Sequence, residues 1–428
     1  MGFRASGAVG HARSLRVYRF PAGEPAILPA GFTLIPRQKR EGKEYKDDPG
    51  VVRQLNIIKG LFEGGDRIIV ATDAGREGEL IFRYIYHYLG CTKPFVRLWI
   101  SSLTDKAIRE GMERLQPGGN YDNLYLSAKA RSEADWLIGI NGSQALSLAA
   151  GRGVFSLGRV QTPTLAMICS RYLENRSFTP KKYMQIRITV EKDGIAFHAT
   201  AEHRYENKTA ADNALGEMKA CGTFHITELT RREVKEEPPL LYDLTALQRE
   251  ANTRLDFSAD RTLSLAQSLY EKKVLSYPRT GSRYVSEDVF DEIPSRIALL
   301  RQHPRFGQYA ASLSGTPLNR RSVDGGKVTD HHALIITENL PSGLSKDEQA
   351  IYDMVAARLL EAFSAPCIKE VTEIRAAVGS SEAQAKGTVV KSAGWRAVRG
   401  EKEEDDGGDM ALPNLEQDET LPVKALKA

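Results

Sequence analysis

Cysteine is scarce in this chain. Cys91, Cys169, Cys221 and Cys367 lie far apart with no CxxC pair, which excludes a disulfide framework and argues against a cysteine-based zinc site. They read as reduced thiols of an intracellular protein. Long apolar runs are also missing. No stretch approaches the roughly 18 residues that cross a bilayer, and the opening MGFRASGAVGHARSLR lacks the apolar centre of a secretory signal. A soluble, cytoplasmic protein without a membrane partner is expected. Charge of one sign is lacking too: 59 Lys and Arg stand against 55 Asp and Glu, a formal net charge of +4. Bulk charge therefore says little about an anionic partner, and any such surface must be local.

What the chain does have is length. Its 428 residues, 41% of them hydrophobic, suffice for several cores and predict three or four lobes. DRIIVATDAGREGELIFRYIYHYLG, from Asp66, joins a β-branched run to an amphipathic helical pattern through a Gly-containing turn. A second strand follows at Val96 to Ile100, with Ser102 or Thr104 able to cap the next helix. Two successive strand–helix units predict a mostly parallel sheet. From about Tyr121 to Leu173 the pattern is helical, broken at Gly151 and Gly153. Tyr183 to His203 alternates as a hairpin turning at Asp193 and Gly194, and Thr223 to Glu228 also favours strand. After EEPPLLYDL the chain is helical to about Arg358, and strand-like stretches return at Thr372 to Val378 and Gly387 to Val390. A return to the earlier β element is one reading of these. The last residues are acidic and poor in aromatics, which predicts a disordered tail or a broken-off segment. No internal repeat is visible.

Four short segments could carry chemistry. In Asp73-Ala-Gly-Arg76-Glu77-Gly-Glu79, carboxylates at the carboxyl end of a strand could hold a hydrated Mg²⁺; the plain alternative is a helix start whose acids favour the positive dipole end. In SYPRTGSRYV, Tyr277 precedes Arg279 in a Pro- and Gly-rich turn. A nucleophilic tyrosine, with an unperturbed pKa of about 10, needs such a cation; a tyrosine packed beside a loop is the alternative. GRGVFSLGRVQTPTLAMI leads a glycine-rich loop into a helix and offers Arg152, Arg159, Gln161 and Thr162 to a phosphate, or is an ordinary helix start with surface arginines. In KVTDHHALIIT, His331 or His332 could donate to a phosphate oxygen. With no further Cys or His at ligand spacing, a surface histidine pair is the alternative to a metal site there.

These segments occur in the order acidic loop, GRVQTPTL, YPRTGSRY, DHHALI, and that order resembles the type IA DNA topoisomerases, nearest the topoisomerase III branch. The resemblance runs from about Leu28 to Val398 and takes in ARSEADWLIGIN, from Ala130, and DLTALQREAN, from Asp243. It implies a multidomain α/β fold with α and β lobes: a partial Toprim domain joined to a toroid. The expected divisions are a Toprim α/β domain over 1–118, a helical DNA-binding lobe over 119–178, a β-rich toroid segment over 179–239, a helical catalytic-tyrosine domain over 240–362, a return β segment over 363–398 and the acidic tail over 399–428.

By the same resemblance, Tyr277 is the nucleophile that forms a 5′-phosphotyrosine on single-stranded DNA, ATP-independently, for relaxation or decatenation. Arg279 stabilises phosphoryl charge, and Asp73 and Glu77 hold Mg²⁺. His331, Arg159, Gln161, Thr162 and Gln248 grip the strand, and Arg131 contacts its backbone. DNA is the implied partner, a helicase a candidate one, and one copy of the chain suffices. Three features depart from the family. Nothing like the Toprim segment IAEKPS, with its glutamate and lysine, precedes Gly10; Gly75 and Gly281 stand where aspartate is common. The chain is expected to be shortened at both ends. The competing reading is a catalytically inactive, single-stranded DNA-binding remnant; a Toprim nuclease or primase would leave the tyrosine and GRVQTPTL unexplained.

Overall fold

In a computed structural model of the chain, residues 9–11, 26–29, 31–42, 44–101, 104–400 and 412–428 are described. The opening residues up to Pro25, apart from 9–11, lie outside the described residues, as do Ser102 and the charged run 401–411. Contacts divide the chain into two compact units, Met1–Phe178 and Thr179–Ala428.

In the first unit β1 (Val9–His11) pairs antiparallel with β2 (Leu34–Pro36), and β3 (Gln38–Glu41) forms a hairpin with β4 (Glu44–Asp47). Helix α1 (Pro49–Gly64) begins where the Asp48 carboxylate accepts from the Gly50 N–H, and Pro49 sits in the first turn, where a missing donor costs nothing. Next come β5 (Ile68–Val70), α2 (Arg76–Tyr88), β6 (Phe95–Arg97), α3 (Asp105–Glu113) and β7 (Gln116–Pro117). Strands β5 and β6 are parallel, with Val70 opposite Arg97, and α2 is the crossover between them. The short β7 adds to β6 antiparallel, so the small sheet is mixed where a mostly parallel one was expected. Thr104 caps α3 by accepting from the Ala107 N–H. Helix α4 (Asp122–Ala150) is 29 residues long and stops at Gly151, whose φ of 67° is left-handed. A small core joins Leu80 and Tyr84 of α2 to Ala128 of α4. Helix α5 (Gln161–Ser177) buries none of its residues.

The second unit begins with β8 (Arg187–Lys192) and β9 (Ile195–Ala201), a hairpin turning at Asp193 and Gly194, both at positive φ. That conformation matches the twist of the strands and suits this residue pair. Helix α6 (Lys208–Cys221) leads into the long β10 (Thr223–Glu236). The chain then leaves the β layer for α7 (Leu244–Leu255), α8 (Ala259–Glu271), α9 (Glu287–Leu299), α10 (Gly307–Leu313) and α11 (Lys346–Phe363). It returns in β11 (Cys367–Val378), β12 (Ser381–Ser392) and β13 (Thr420–Lys427). The strands close a barrel in the order β10-β11-β12-β9-β8-β13. Its interior is filled by Ile188, Val190, Phe197, Phe224, Ile226 and Ile374, each at most 1% exposed, so it is a packed core and not a channel.

Helix α11 is the axis of the helical layer. Ser345 and Glu348 form a reciprocal capping box at its start, and it buries residues on every face. The charges it takes inside are paired: Arg358 with Glu361 at 2.9 Å and with Glu250 of α7, and Glu361 with Arg399.

The C-terminal residues correct one expectation. Composition averaged over 399–428 argued for a disordered acidic tail, yet Thr420–Lys427 is the strand that joins β10 to β8. Leu415 is fully buried and Leu421 is 7% exposed against the barrel core. The acidic residues just upstream hid the short apolar pattern around Leu421 and Val423, and the partners of that strand lie far away in sequence, where no local pattern reports them. Leu421→Ala should therefore cost about 2–3 kcal/mol in urea denaturation, as a buried large-to-small change does. A change within about 0.5 kcal/mol, typical of surface sites, would mean that this strand does not belong to the barrel core.

Candidate active site

Tyr277 lies in the irregular segment between α8 and α9. Regular structure does not hold this segment, so side chains do. The Ser276 N–H donates to the Ile335 carbonyl at 3.0 Å, and the Ile335 N–H donates to the Ser276 hydroxyl at 3.0 Å. Thr280 Oγ1 donates to the His331 carbonyl at 3.0 Å and accepts from the Ser282 N–H. Arg283 donates from Nε to the Leu241 carbonyl at 3.0 Å. The tyrosine loop is thereby laced to the His331–Ile336 stretch, which runs beside it without forming a named strand. Single bridges at Tyr242–Leu334 and Leu275–Ile336 fix the register.

The lacing brings Tyr277 and His331 together: their rings lie 4.5 Å apart between centroids, tilted by 50°. Tyr270 of α8 packs edge-on against the Tyr277 ring, 5.3 Å between centroids. Tyr277 is half-buried, while Arg279 of the same loop is exposed and has no carboxylate partner among the described residues. Gly281 has open space where a Cβ would stand. Gln248 of α7 donates from Nε2 to the Ala259 carbonyl at 3.0 Å, at the start of α8.

His332 plays a different part from its neighbour. It donates from Nδ1 to the Ala333 carbonyl at 2.7 Å. Burial, with smaller contributions from the Arg296 and His331 charges, holds its pKa down to about 4 against the pull of that hydrogen bond. It is neutral at neutral pH.

In the first unit the Asp73–Glu79 segment leaves the carboxyl end of β5. Asp73 and Glu77 are exposed, but Glu79 turns inward and is fully buried, so the acids of this motif split two and one. Glu79 accepts from Arg83 Nε at 2.8 Å and from Arg97 Nε at 3.0 Å. Gly78 is required here: a Cβ would lie 2.1 Å from the Asp73 carbonyl oxygen. The two outward carboxylates suit a hydrated Mg²⁺, which keeps several waters and shares its coordination with phosphate. A cation that needs a full protein cage does not fit, since no group of three or more His, Cys, Asp or Glu side chains is placed to hold a metal among the described residues.

Arg131 of α4 donates to Glu77 at 2.7 Å, and Arg159 donates to Asp135 at 3.3 Å. Both pairs are solvent-exposed and worth at most about 1 kcal/mol, so a phosphate or a metal can displace them. In the loop before α5, Thr162 Oγ1 accepts from the Gly158 N–H at 3.0 Å, and Gln161 Nε2 donates to Ser156 Oγ at 3.1 Å. These two side chains shape the glycine-rich loop as it stands. Sequence reasoning missed Arg97, Arg83, Tyr270 and Thr280. Only Arg97 carried a signal, a charge inside the otherwise apolar strand VRLWI.

The sequence profile of a family described as DNA topoisomerase matches residues 119–428. Among curated proteins, the DNA topoisomerase 3 of Bacillus subtilis is 40% identical over 387 residues, which are 87% of this chain and 53% of that protein. The DNA topoisomerase 3 of Bacillus licheniformis is 42% identical over 413 residues, 94% of this chain and 55% of that protein. The chain thus spans about half the length of the curated relatives it matches. Among solved structures, full-length topoisomerase I from Thermotoga maritima aligns with a TM-score of 0.65 at 23% identity, covering 90% of this chain and 63% of that one. That likeness is one of fold.

The depressed pKa of His332 makes a pH prediction. The unfolded side chain, near 6.5, takes up a proton that the folded one, near 4, refuses. Stability from this group is present above pH 6.5 and is lost as pH falls towards 4. His332→Gln should reduce the loss of unfolding free energy between pH 7 and pH 4.5 by about 2 kcal/mol relative to the parent. Parallel pH profiles for the two proteins would refute the assignment.

Proposed function

The chain belongs to the type IA DNA topoisomerase family, in the topoisomerase III branch, and we propose that it cuts a single DNA strand through Tyr277 and reseals it, relaxing or decatenating DNA without ATP. The observation that carries this reading is the tyrosine loop itself. Hydrogen bonds hold an irregular segment so that Tyr277 meets His331, while Arg279 stands exposed on the same loop.

In this reaction the Tyr277 hydroxyl loses its proton and its oxygen attacks a backbone phosphorus. The new O–P bond forms as the bond from phosphorus to the 3′ oxygen breaks, and that oxygen takes up a proton. The products are a 5′-phosphotyrosine and a free 3′-hydroxyl. Attack by the 3′-hydroxyl reverses every step. One phosphoester replaces another, so resealing consumes no nucleotide. Arg279 offsets negative charge on the phosphoryl oxygens, a contribution that is large where donors are pre-placed. His331 donates to a phosphate oxygen beside the nucleophile, and His332, kept neutral, adds no competing charge.

Asp73 and Glu77 are the residues that would hold Mg²⁺, which when bound supplies positive charge to phosphate oxygens. Arg131 neutralises Glu77 and is the residue to pass to the DNA backbone. Arg159, Gln161, Thr162 and Gln248 are read as grips on the single strand; the exposure of Arg159 and Gln161, and the weakness of the ion pair that holds Arg159, support this. A cytoplasmic, DNA-associated protein acting as a single copy, with a helicase as candidate partner, goes with the reading. No helix among the described residues is long and apolar enough to cross a membrane.

Incubation with an end-labelled single-stranded oligonucleotide and Mg²⁺, followed by denaturant, should trap a covalent protein–DNA adduct. Tyr277→Phe should abolish it. Cleavage by the Phe variant at the parent's rate would remove Tyr277 as the nucleophile. Arg159→Ala should weaken single-strand binding and flatten the log–log salt dependence by about 0.7, the slope lost with one phosphate contact on a single strand. An unchanged slope would take Arg159 off the DNA.

A further inference from the structure

We propose that Arg97 and Glu79 are positioning residues that set the metal-binding geometry of Asp73 from behind; the inference rests on the reading of Asp73 and Glu77 as the Mg²⁺ carboxylates. Arg97 is the last residue of β6 and is fully buried. Its guanidinium reaches across the carboxyl edge of β5 and spends its donors on the backbone of the metal-binding loop. Nη2 donates to the Asp73 carbonyl at 2.5 Å. Nη1 meets the carbonyls of Thr72 at 2.6 Å, Val70 at 3.1 Å and Leu98 at 3.2 Å. Nε is left for Glu79 at 3.0 Å.

Glu79 closes the arrangement from α2. Its second oxygen accepts from Arg83, which in turn donates to the Gly118 carbonyl at 3.0 Å and to Asp122 at 2.6 Å. A chain of charge-assisted bonds therefore runs from the metal-binding loop through α2 to the start of α4. On the other flank, Thr72 Oγ1 donates to the Gly78 carbonyl at 2.8 Å, and Gly78 leaves no room for a side chain against Asp73. The Asp73 backbone is gripped from both sides, while the residue as a whole is exposed.

Fold stability alone is a weak reason for this arrangement. A buried ion pair is often no more stabilising than apolar side chains of the same volume. What a planar fork of five donors does provide is a fixed geometry for the carbonyls it binds. Groups one layer behind a metal ligand commonly change metal affinity by 10–100-fold when altered. Among the described residues no third carboxylate joins these two, so a misplaced one has no neighbour to compensate for it.

The test is Mn²⁺ binding by the full chain, read as loss of the electron paramagnetic resonance signal of aqueous Mn²⁺, with no DNA present and no turnover required. Arg97→Lys keeps the charge but loses the fork, and Glu79→Gln keeps the shape but loses the charge. Each should weaken Mn²⁺ binding by at least about 10-fold. Leu80→Ala, which removes buried volume from the same helix without touching this network, should lower the melting temperature and leave Mn²⁺ affinity within about twofold of the parent. Parent-like affinity in both Arg97→Lys and Glu79→Gln would overturn the proposal. An equal loss in Leu80→Ala would also overturn it, by reducing the network to a general structural role. Absence of Mn²⁺ binding by the parent itself would overturn the metal reading of Asp73 and Glu77, and the positioning role with it.

Discussion

A peptide group buried without a hydrogen-bond partner costs as much as a lost bond, and the two candidate loops exist because side chains meet that demand where helix and strand ladders cannot. In the second unit, the side chains of Ser276, Thr280 and Arg283 supply donors and acceptors that an irregular loop lacks. In the first, Arg97 alone serves four carbonyls around the end of β5. Both loops can therefore be irregular, as a site that presents a side chain to a ligand often is, and still hold one shape.

The two kinds of charge in the molecule behave differently. Glu79, Arg97, Arg358 and Glu361 are buried and mutually paired, and removing one partner would leave the other stranded in a medium that does not solvate it. Arg131, Glu77, Arg159 and Asp135 are also paired, but in solvent, where such bonds exchange readily. The first set builds walls and the second is available to a ligand. Of the residues proposed to meet metal and DNA, Glu77, Arg131 and Arg159 fall in the second set, and Arg279 has no carboxylate partner among the described residues.

The helical layer shows the same economy in apolar terms. Helix α11 buries most of its length against α7 and α8, and α7, which carries Gln248, is tied to it through Glu250 and Arg358. Helix α5, by contrast, leaves Leu165, Ile168, Tyr172 and Leu173 about 60% exposed. These four stand at i, i+3, i+7 and i+8, on one face of the helix, and none of that face is buried.

Local chemistry made much of this legible in the sequence. The Asp193–Gly194 turn, the Thr104 cap, the break at Gly151 and the strand–loop–helix around Asp73 each depend on residues a few positions apart, and the order of four short motifs was enough to indicate the family. Pairing at long range was not legible. Thr420–Lys427 is a strand only because β8 and β10 offer it open edges, and its acidic surroundings pointed to disorder. Glu79 reads in sequence as one more acid of a metal motif. Only the folded chain, by carrying Arg97 from the neighbouring strand beneath it, turns it into the buried counter-ion of the loop. Tyr277 and His331 are each visible as motif residues, and their contact was decided by hydrogen bonds between serine and threonine side chains and the backbone of a segment more than fifty residues away. The sequence by itself determined which side chains are present and which local shapes they favour. The tertiary structure decided which of those charges face water and which face each other, because burial is a property of the whole fold.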